Sequence, residues 1–212
     1  MEKLSIAQFK KMLAKAAFNI EAAKDELTEL DSQIGDGDHG TTMVKVMNKI
    51  SGTAEAYSGN DFKTLLSEIG MSVLNMGGGA TVPLFGSLFS GMSRAVAEGM
   101  EQLSKDELSE AFKSGEARLL KFSKAPLGAK TLVDSLTPAV AAFDAFEGCD
   151  IADALEPARL AAHEGCMKTK DYVAHFGRAK NLGERAIGIP DPGSVSVSII
   201  FKAFAQSAQE VE

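Results

Sequence analysis

The residues best suited to chemistry lie in the stretch Leu30-Asp31-Ser32-Gln33-Ile34-Gly35-Asp36-Gly37-Asp38-His39-Gly40-Thr41-Thr42-Met43. Asp31, Asp36 and Asp38 fall within eight residues, with glycines between them and a histidine and two threonines close behind. Two carboxylates held ~4 Å apart repel by about 4 kcal/mol at an effective dielectric of ~20. No Lys or Arg lies between Glu29 and Thr42, so a cluster that stays ionised needs a cation from elsewhere. Carboxylate oxygens are hard ligands, which suit Mg²⁺, Ca²⁺ or Mn²⁺ rather than Zn²⁺. Asp36 and Asp38 sit two apart across Gly37 and can converge in a turned loop. A turn through Gly35 would fold that loop back onto Asp31.

Two familiar sites do not fit. An EF-hand needs Asp at loop positions one, three and five and Glu at position twelve. Counted from Asp36, the twelfth residue is Met47; counted from Asp31, the third and fifth are Gln33 and Gly35. A phosphate-cradling loop of the G-x-x-x-x-G-K-[ST] type matches at Gly35 and Gly40, but Thr41 stands where its Lys would be. Two Asp in such a loop would repel phosphate unless metal ions bridge them. The competing reading is a polar, Gly-rich turn between helices, with Asp serving caps and turns.

The surrounding elements read as helices. Ser5 with Gln8 forms a capping box, and Ile6, Phe9, Leu13, Ala16, Ala17, Ile20, Leu27 and Leu30 follow at helical spacing, delivering Asp31 at the helix end. Gly40 opens a second helix with Met43, Val44, Met47 and Ile50 on one face, and Phe62, Leu65, Leu66, Ile69 and Val73 mark a third. The run Gly77-Gly78-Gly79 breaks that helix and lets backbone approach a ligand. Thr81 and Pro83 suit the first turn of the next helix, whose N-terminal amides favour anions. Ser104 with Glu107 is a second capping box, Lys130–Asp134 opens a helix carrying Leu136, Val140 and Phe143, and Asp150 caps a long Ala-rich helix running toward His175. Residues 176–185 read as a basic loop in an acidic chain. Ser194-Val195-Ser196-Val197-Ser198-Ile199 alternates with period two and reads locally as a strand.

Composition sets the bounds. A chain of 212 residues with 45% hydrophobic and 24% charged residues is of ordinary globular make-up and long enough for a sizeable core. A net charge of −7 argues against nucleic acid as a partner, which basic patches would meet. Cys149 and Cys166 form no metal or redox motif, and no stretch approaches a membrane span. With no apolar leader at Met1–Ser5, the expected location is the cytoplasm. No internal repeat or linker divides the chain, so residues 1–212 are expected to form a single domain.

The aspartate motif, Asp31 followed by Gly-Asp-Gly-Asp-His-Gly-Thr-Thr-Met, resembles the nucleotide-binding L subunit of dihydroxyacetone kinases. Three further stretches agree in order. These are Gly77 to Gly86 (GGGATVPLFG), Gly128 to Asp134 (GAKTLVD) with Pro138, and Gly177-Arg178-Ala179 through Leu182-Gly183-Glu184-Arg185 to Asp191-Pro192-Gly193. The resemblance implies an all-α fold, an antiparallel barrel of eight helices, with ADP or ATP and two Mg²⁺ ions in the loops at one end. It implies that Asp31, Asp36 and Asp38 bind metal. Nucleotide contacts are implied at His39, Gly40, Thr41, Thr42, Gly79, Ala80, Thr81, Ser123, Leu132, Arg178, Asp191, Pro192 and Gly193. Thr81 stands for the usual Ser, and Val82 for the usual Gly, of the family's second motif. For Ser194–Ile199 the resemblance says helix, against the local pattern, and helix is the expectation taken here.

The implied activity is a phosphotransferase. Arg178 would stabilise phosphate charge. His39 is left two roles, a hydrogen bond to phosphate or the orientation of a loop residue, and is not a nucleophile. The expected partners are a K-type subunit that holds dihydroxyacetone and a phosphotransferase-system M subunit that rephosphorylates bound ADP. A homodimer is left open, and neither nucleic acid nor membrane is expected. Two rival readings share the site: an ATP-dependent L-type subunit for dihydroxyacetone or another sugar or polyol, and a non-catalytic nucleotide-binding regulator.

Overall fold

The computed structural model describes residues 1–210, and among these it has nine α-helices and two three-residue strands. The helices are α1 (Ile6–Ala22), α2 (Lys24–Ile34), α3 (His39–Ala56), α4 (Phe62–Leu74), α5 (Thr81–Ala95), α6 (Lys105–Ser123), α7 (Val133–Asp144), α8 (Ile151–Lys168) and α9 (Pro192–Gln209). The strands β1 (Lys3–Ser5) and β2 (Gln102–Ser104) pair antiparallel, with Leu4 opposite Leu103.

Eight of the helices close a ring. Each of α1, α3, α4, α5, α6, α7, α8 and α9 packs on the next, and α9 returns to α1. The all-α barrel expected from the sequence is therefore present, with α2 as a ninth helix laid over α3. The interior is filled by the inward faces of the ring. Phe112 meets Phe143 edge-on at 5.2 Å and Phe201 at 6.0 Å, while Phe9 packs on Phe62 at 5.7 Å. Such aromatic pairs contribute about 0.5–1.5 kcal/mol each beyond their burial.

Local signals and structure agree at several helix starts. Both capping boxes form, Ser5 with Gln8 and Ser104 with Glu107. Asp150 caps α8 by accepting the Asp153 N–H at 3.1 Å. Two expectations are corrected. The first helix does not run unbroken to Asp31. It ends at Ala22, and Ala23 (φ −92°, ψ 4°) both closes α1 and starts α2, which carries Asp31 inside its last turn. No Gly or Pro marks that bend. The Ala-rich helix stops at Lys168, where a short turn at Thr169–Asp171 follows.

The segment Ser194–Ile199 is helical, in α9. Its serines do not form a solvated face: Ser194 and Ser196 are fully buried, donating to the carbonyls of Thr131 (2.6 Å) and Pro192 (3.1 Å). The alternation therefore reflects satisfied hydroxyls inside the barrel wall rather than strand amphipathicity. No helix among the described residues is long and apolar enough to cross a membrane.

Both cysteines are free, Cys149 exposed and Cys166 buried. Burial, aided by the nearby Asp191 charge, pushes the Cys166 thiol up to about 11. The thiolate is the reactive species. Ellman's reagent at mildly alkaline pH is therefore expected to titrate Cys149 alone in the native protein and Cys166 only after denaturation. Two rapidly reacting thiols in the native state would contradict this packing.

Candidate functional site

The ring alternates in direction, and this gathers one set of loops. The first residues of α3, α5 and α9, the N-terminus of α7 and the end of α6 all line a single cleft of about 350 Å³. The aspartate loop forms one wall of it. Asp31, on the last turn of α2, accepts the backbone N–H groups of Asp38 (2.9 Å) and His39 (3.1 Å) through one carboxylate oxygen. That bond closes the loop and caps α3, whose own N-cap residue, Asp38, makes no side-chain cap. The Asp38 carboxylate is thus left free.

The glycines of the motif follow from this closure. A Cβ on Gly35 would lie 2.1 Å from the Asp31 carboxylate, so only glycine lets the loop pass that close. Gly37 has φ +74°, a conformation most side chains resist. One oxygen from each of Asp31, Asp36 and Asp38 comes to within 4.8 Å of the others. Each such pair repels by about 1 kcal/mol in water and about 4 as solvent is excluded. The set is three hard oxygen donors, the chemistry of a Mg²⁺ or Ca²⁺ site. The residues fit a divalent ion, and that ion would supply charge neutralisation for a polyphosphate.

Arg178 reaches the same cluster from the far wall. Its Nη2 lies 2.7 Å from Asp36 Oδ2, while two-thirds of its side chain stays exposed. His39 is half-buried, with Nε2 2.9 Å from the Ser196 hydroxyl on α9. Burial holds its pKa below the ordinary histidine value, against the opposing pull of Asp31. Since the Ser196 hydroxyl donates to Pro192, the imidazole donates through Nε2, tying α3 to α9.

The other walls come from helix starts. Gly79, Ala80 and Thr81 line the cleft where α5 begins, and neither Ala80 nor Leu132, the residues preceding α5 and α7, makes a side-chain cap. The Val82 N–H of α5 already meets the Gly79 carbonyl at 3.3 Å, and the Val133 N–H of α7 meets the Thr131 hydroxyl at 3.3 Å, so what these ends offer an anion is mainly the positive end of the helix dipole. Val82 is buried in α5 and packs directly on the loop: a Cβ on Gly78 would meet its Cγ2 at 2.7 Å. Ser123 and Leu132 line the cleft, as do Pro192 and Gly193. Asp191 also lines it and caps α9 by accepting the Ser194 N–H at 2.7 Å. Burial, with the charge of Asp134 adding to it, raises Asp191 to about 7.

Comparison with known proteins gives the family. The family model described as the DAK2 domain matches residues 33–206. The chain belongs to the DAK2 domain family. It is 32% identical to the "PEP-dependent dihydroxyacetone kinase, ADP-binding subunit DhaL" of Escherichia coli K12, over 98% of this chain and 99% of that protein. It is 37% identical to the "PEP-dependent dihydroxyacetone kinase 2, ADP-binding subunit DhaL" of Listeria innocua, over 90% and 89%. The crystal structure of the C. freundii dihydroxyacetone kinase in complex with AMP-PNP and Mg²⁺ superposes with a TM-score of 0.74 at 24% identity. It matches 93% of this chain, which spans 33% of that one.

Within this DAK2 domain, most residues expected at the site line the cleft, Thr42 among them, but Gly40 and Thr41 do not. Gly40 is buried, and a Cβ there would meet the Lys24 carbonyl at 2.2 Å and the Thr28 hydroxyl at 2.4 Å. Its role is close packing of α2 on α3, and Thr41 points outward as an exposed residue. Sequence reasoning missed several wall residues, among them Ile34, Leu84, Phe122, Lys130 and Phe176. The available signal was Lys130, a cation inside a quoted motif. Gly40→Ala is expected to cost about 1–3 kcal/mol of stability through overpacking, read as a lower urea midpoint with unchanged slope. An unchanged midpoint would refute the packing role.

Proposed function

We propose that this chain is the ADP-binding, L-type subunit of a dihydroxyacetone kinase. The convergence of Asp31, Asp36 and Asp38 opposite Arg178, at the mouth of one cleft, carries the reading. Its relatives' names, with their ADP-binding DhaL subunits, support it. Residues 1–212 act as one nucleotide-binding domain, which the continuous core supports. The cytoplasm is the proposed location.

In this reading Asp31, Asp36 and Asp38 hold two Mg²⁺ ions, which supply charge neutralisation to a bound di- or triphosphate. Two ions fit the charge: a diphosphate of about −3 with three carboxylates totals about −6, reduced to about −2. Arg178 binds phosphate oxygens through its planar fork. Leu132, 8% exposed, is an apolar wall for the base. Ala80 and Thr81 offer the first amides of α5, and Ser123, Asp191, Pro192 and Gly193 complete the wall. His39 acts by orientation, since its imidazole is engaged with Ser196. Phosphoryl transfer depends chiefly on positioning and charge stabilisation, which these groups provide.

The phosphoryl group passes from a phosphotransferase-system M subunit to bound ADP, and from ATP to dihydroxyacetone held on a K-type subunit. The names of the E. coli and L. innocua relatives, which specify PEP dependence and an ADP-binding subunit, favour this route over consumption of free ATP.

The first test is chemical: protein purified in Mg²⁺ is denatured and the released nucleotide identified by chromatography. About one ADP per chain surviving dialysis is the expected result. Asp31→Asn and Asp36→Asn are each expected to weaken Mg²⁺-dependent ADP binding at least about tenfold, a loss of ~1.4 kcal/mol, by calorimetry. Wild-type binding in both variants would remove the metal assignment.

A further inference from the structure

Lys130 is assigned no part in the reading above, yet it is placed at unusual cost. Its side chain is 1% exposed, and its backbone is left-handed at φ +61°. Burial pulls its ammonium below the ordinary lysine value, against the charges of Asp191, Asp171 and Asp134. A buried charge and a left-handed side-chain residue are each unfavourable, and both occur together only where surrounding structure requires them.

What the ammonium touches defines the requirement. Nζ donates to the carbonyl of Thr169, just after α8, and to that of Ile189, just before α9, at 2.7 Å. Those two residues are the ends of a long excursion. Gly188 N–H donates to the Lys170 carbonyl at 2.7 Å, and Asp191 N–H to the Thr169 hydroxyl at 2.9 Å. Residues 170–188 are therefore a long loop whose ends meet at a neck, with Lys130 bridging both sides.

The loop's own core is small, Ala174, Ala179 and Ala186 around Ile34, the last residue of α2, with Leu182 and Ile189 partly buried against them. Phe176 packs on the main core, and the His175 N–H donates to the Ala129 carbonyl at 3.4 Å. Alanines bury little apolar area, which leaves much of the anchoring to the polar ties of the neck. Yet this loop carries Phe176, Gly177 and Arg178 into the cleft wall and sets Arg178 against Asp36.

We propose that Lys130 is a positioning residue: by bolting the neck of the 170–188 loop it fixes Arg178 over the aspartate cluster and slows release of nucleotide from the cleft. The second half of this statement rests on the nucleotide-binding reading above; the first half does not.

The test uses the full chain. Lys130→Met keeps length and volume but removes the charge and the donors, and Lys130→Arg keeps both. Without ligand, Lys130→Met is expected to raise hydrogen exchange in peptides covering 170–188 at least about tenfold, leaving the barrel helices protected. Tryptic cleavage at the exposed Arg178, Lys180 and Arg185 should quicken in parallel. Lys130→Arg should restore the loop's protection. With Mg²⁺-ADP, Lys130→Met should speed dissociation at least about tenfold, and adding Arg178→Ala should give no loss beyond that of Arg178→Ala alone.

Wild-type exchange in the loop of Lys130→Met overturns the proposal, as does additivity in the double variant. If Lys130→Met fails to fold, Thr169→Val, which deletes the hydroxyl that accepts the Asp191 N–H at the neck, must loosen the same peptides selectively or the neck has no such role. If the wild-type chain binds no Mg²⁺-ADP, the exchange arm still decides the neck, and the failure falls on the nucleotide reading alone.

Discussion

The Asp31 carboxylate is the constraint on which this end of the barrel depends. One oxygen accepts two amides at the start of α3, which closes the loop from Ile34 to Asp38 and frees Asp38 from capping its own helix. Closure then concentrates three negative charges within 4.8 Å. Among the described residues one ion pair meets that repulsion, Arg178 on Asp36. In the proposed reading that imbalance would favour a divalent ion, because the repulsion would be relieved when a cation entered.

The barrel supplies the opposite charge. Alternating helix directions bring the N-termini of α3, α5, α7 and α9 to the cleft. Each N-terminus carries a partial positive charge, equivalent to about half an elementary charge. Two of the four are occupied by carboxylates, α3 by Asp31 and α9 by Asp191; the Thr131 hydroxyl takes the first amide of α7, and α5 has no side-chain cap. In the proposed reading a polyphosphate would face these positive helix ends on one side and the aspartate loop with its cations on the other. An acidic protein can thus hold an anion without a basic patch.

Much of this was legible in the sequence. The aspartate spacing, the glycines between them and both capping boxes each have a local physical cause, and each is realised. Helical spacing marked the barrel's inward faces. What the sequence hid depends on long-range packing. The bend at Ala23 has no local marker, and Gly40 looked like a ligand-facing glycine because its partners, Lys24 and Thr28, lie on another helix. Ser194 to Ile199 looked like a strand because hydroxyls buried against Thr131 and Pro192 mimic a polar face. The 170–188 loop gave no periodic signal, since its core of alanines and one isoleucine is drawn from separated segments.

The aspartate loop and the 170–188 loop are not independent walls. Ile34 lies in the small core of the second loop, two residues before Asp36, and Arg178 of the second loop pairs with Asp36 itself. In the proposed reading a cation drawn to the three carboxylates would compete with Arg178 for the Asp36 oxygen, and a phosphate arriving with it would offer the guanidinium a bidentate partner in exchange. Charge on Asp36 would then be answered by metal instead of Arg178, with the guanidinium moving only from carboxylate to phosphate. Such an exchange needs the second loop to keep its place while its arginine changes partner. That is why its anchoring on Ile34 and at the neck between Thr169 and Ile189 matters as much as the ligands themselves.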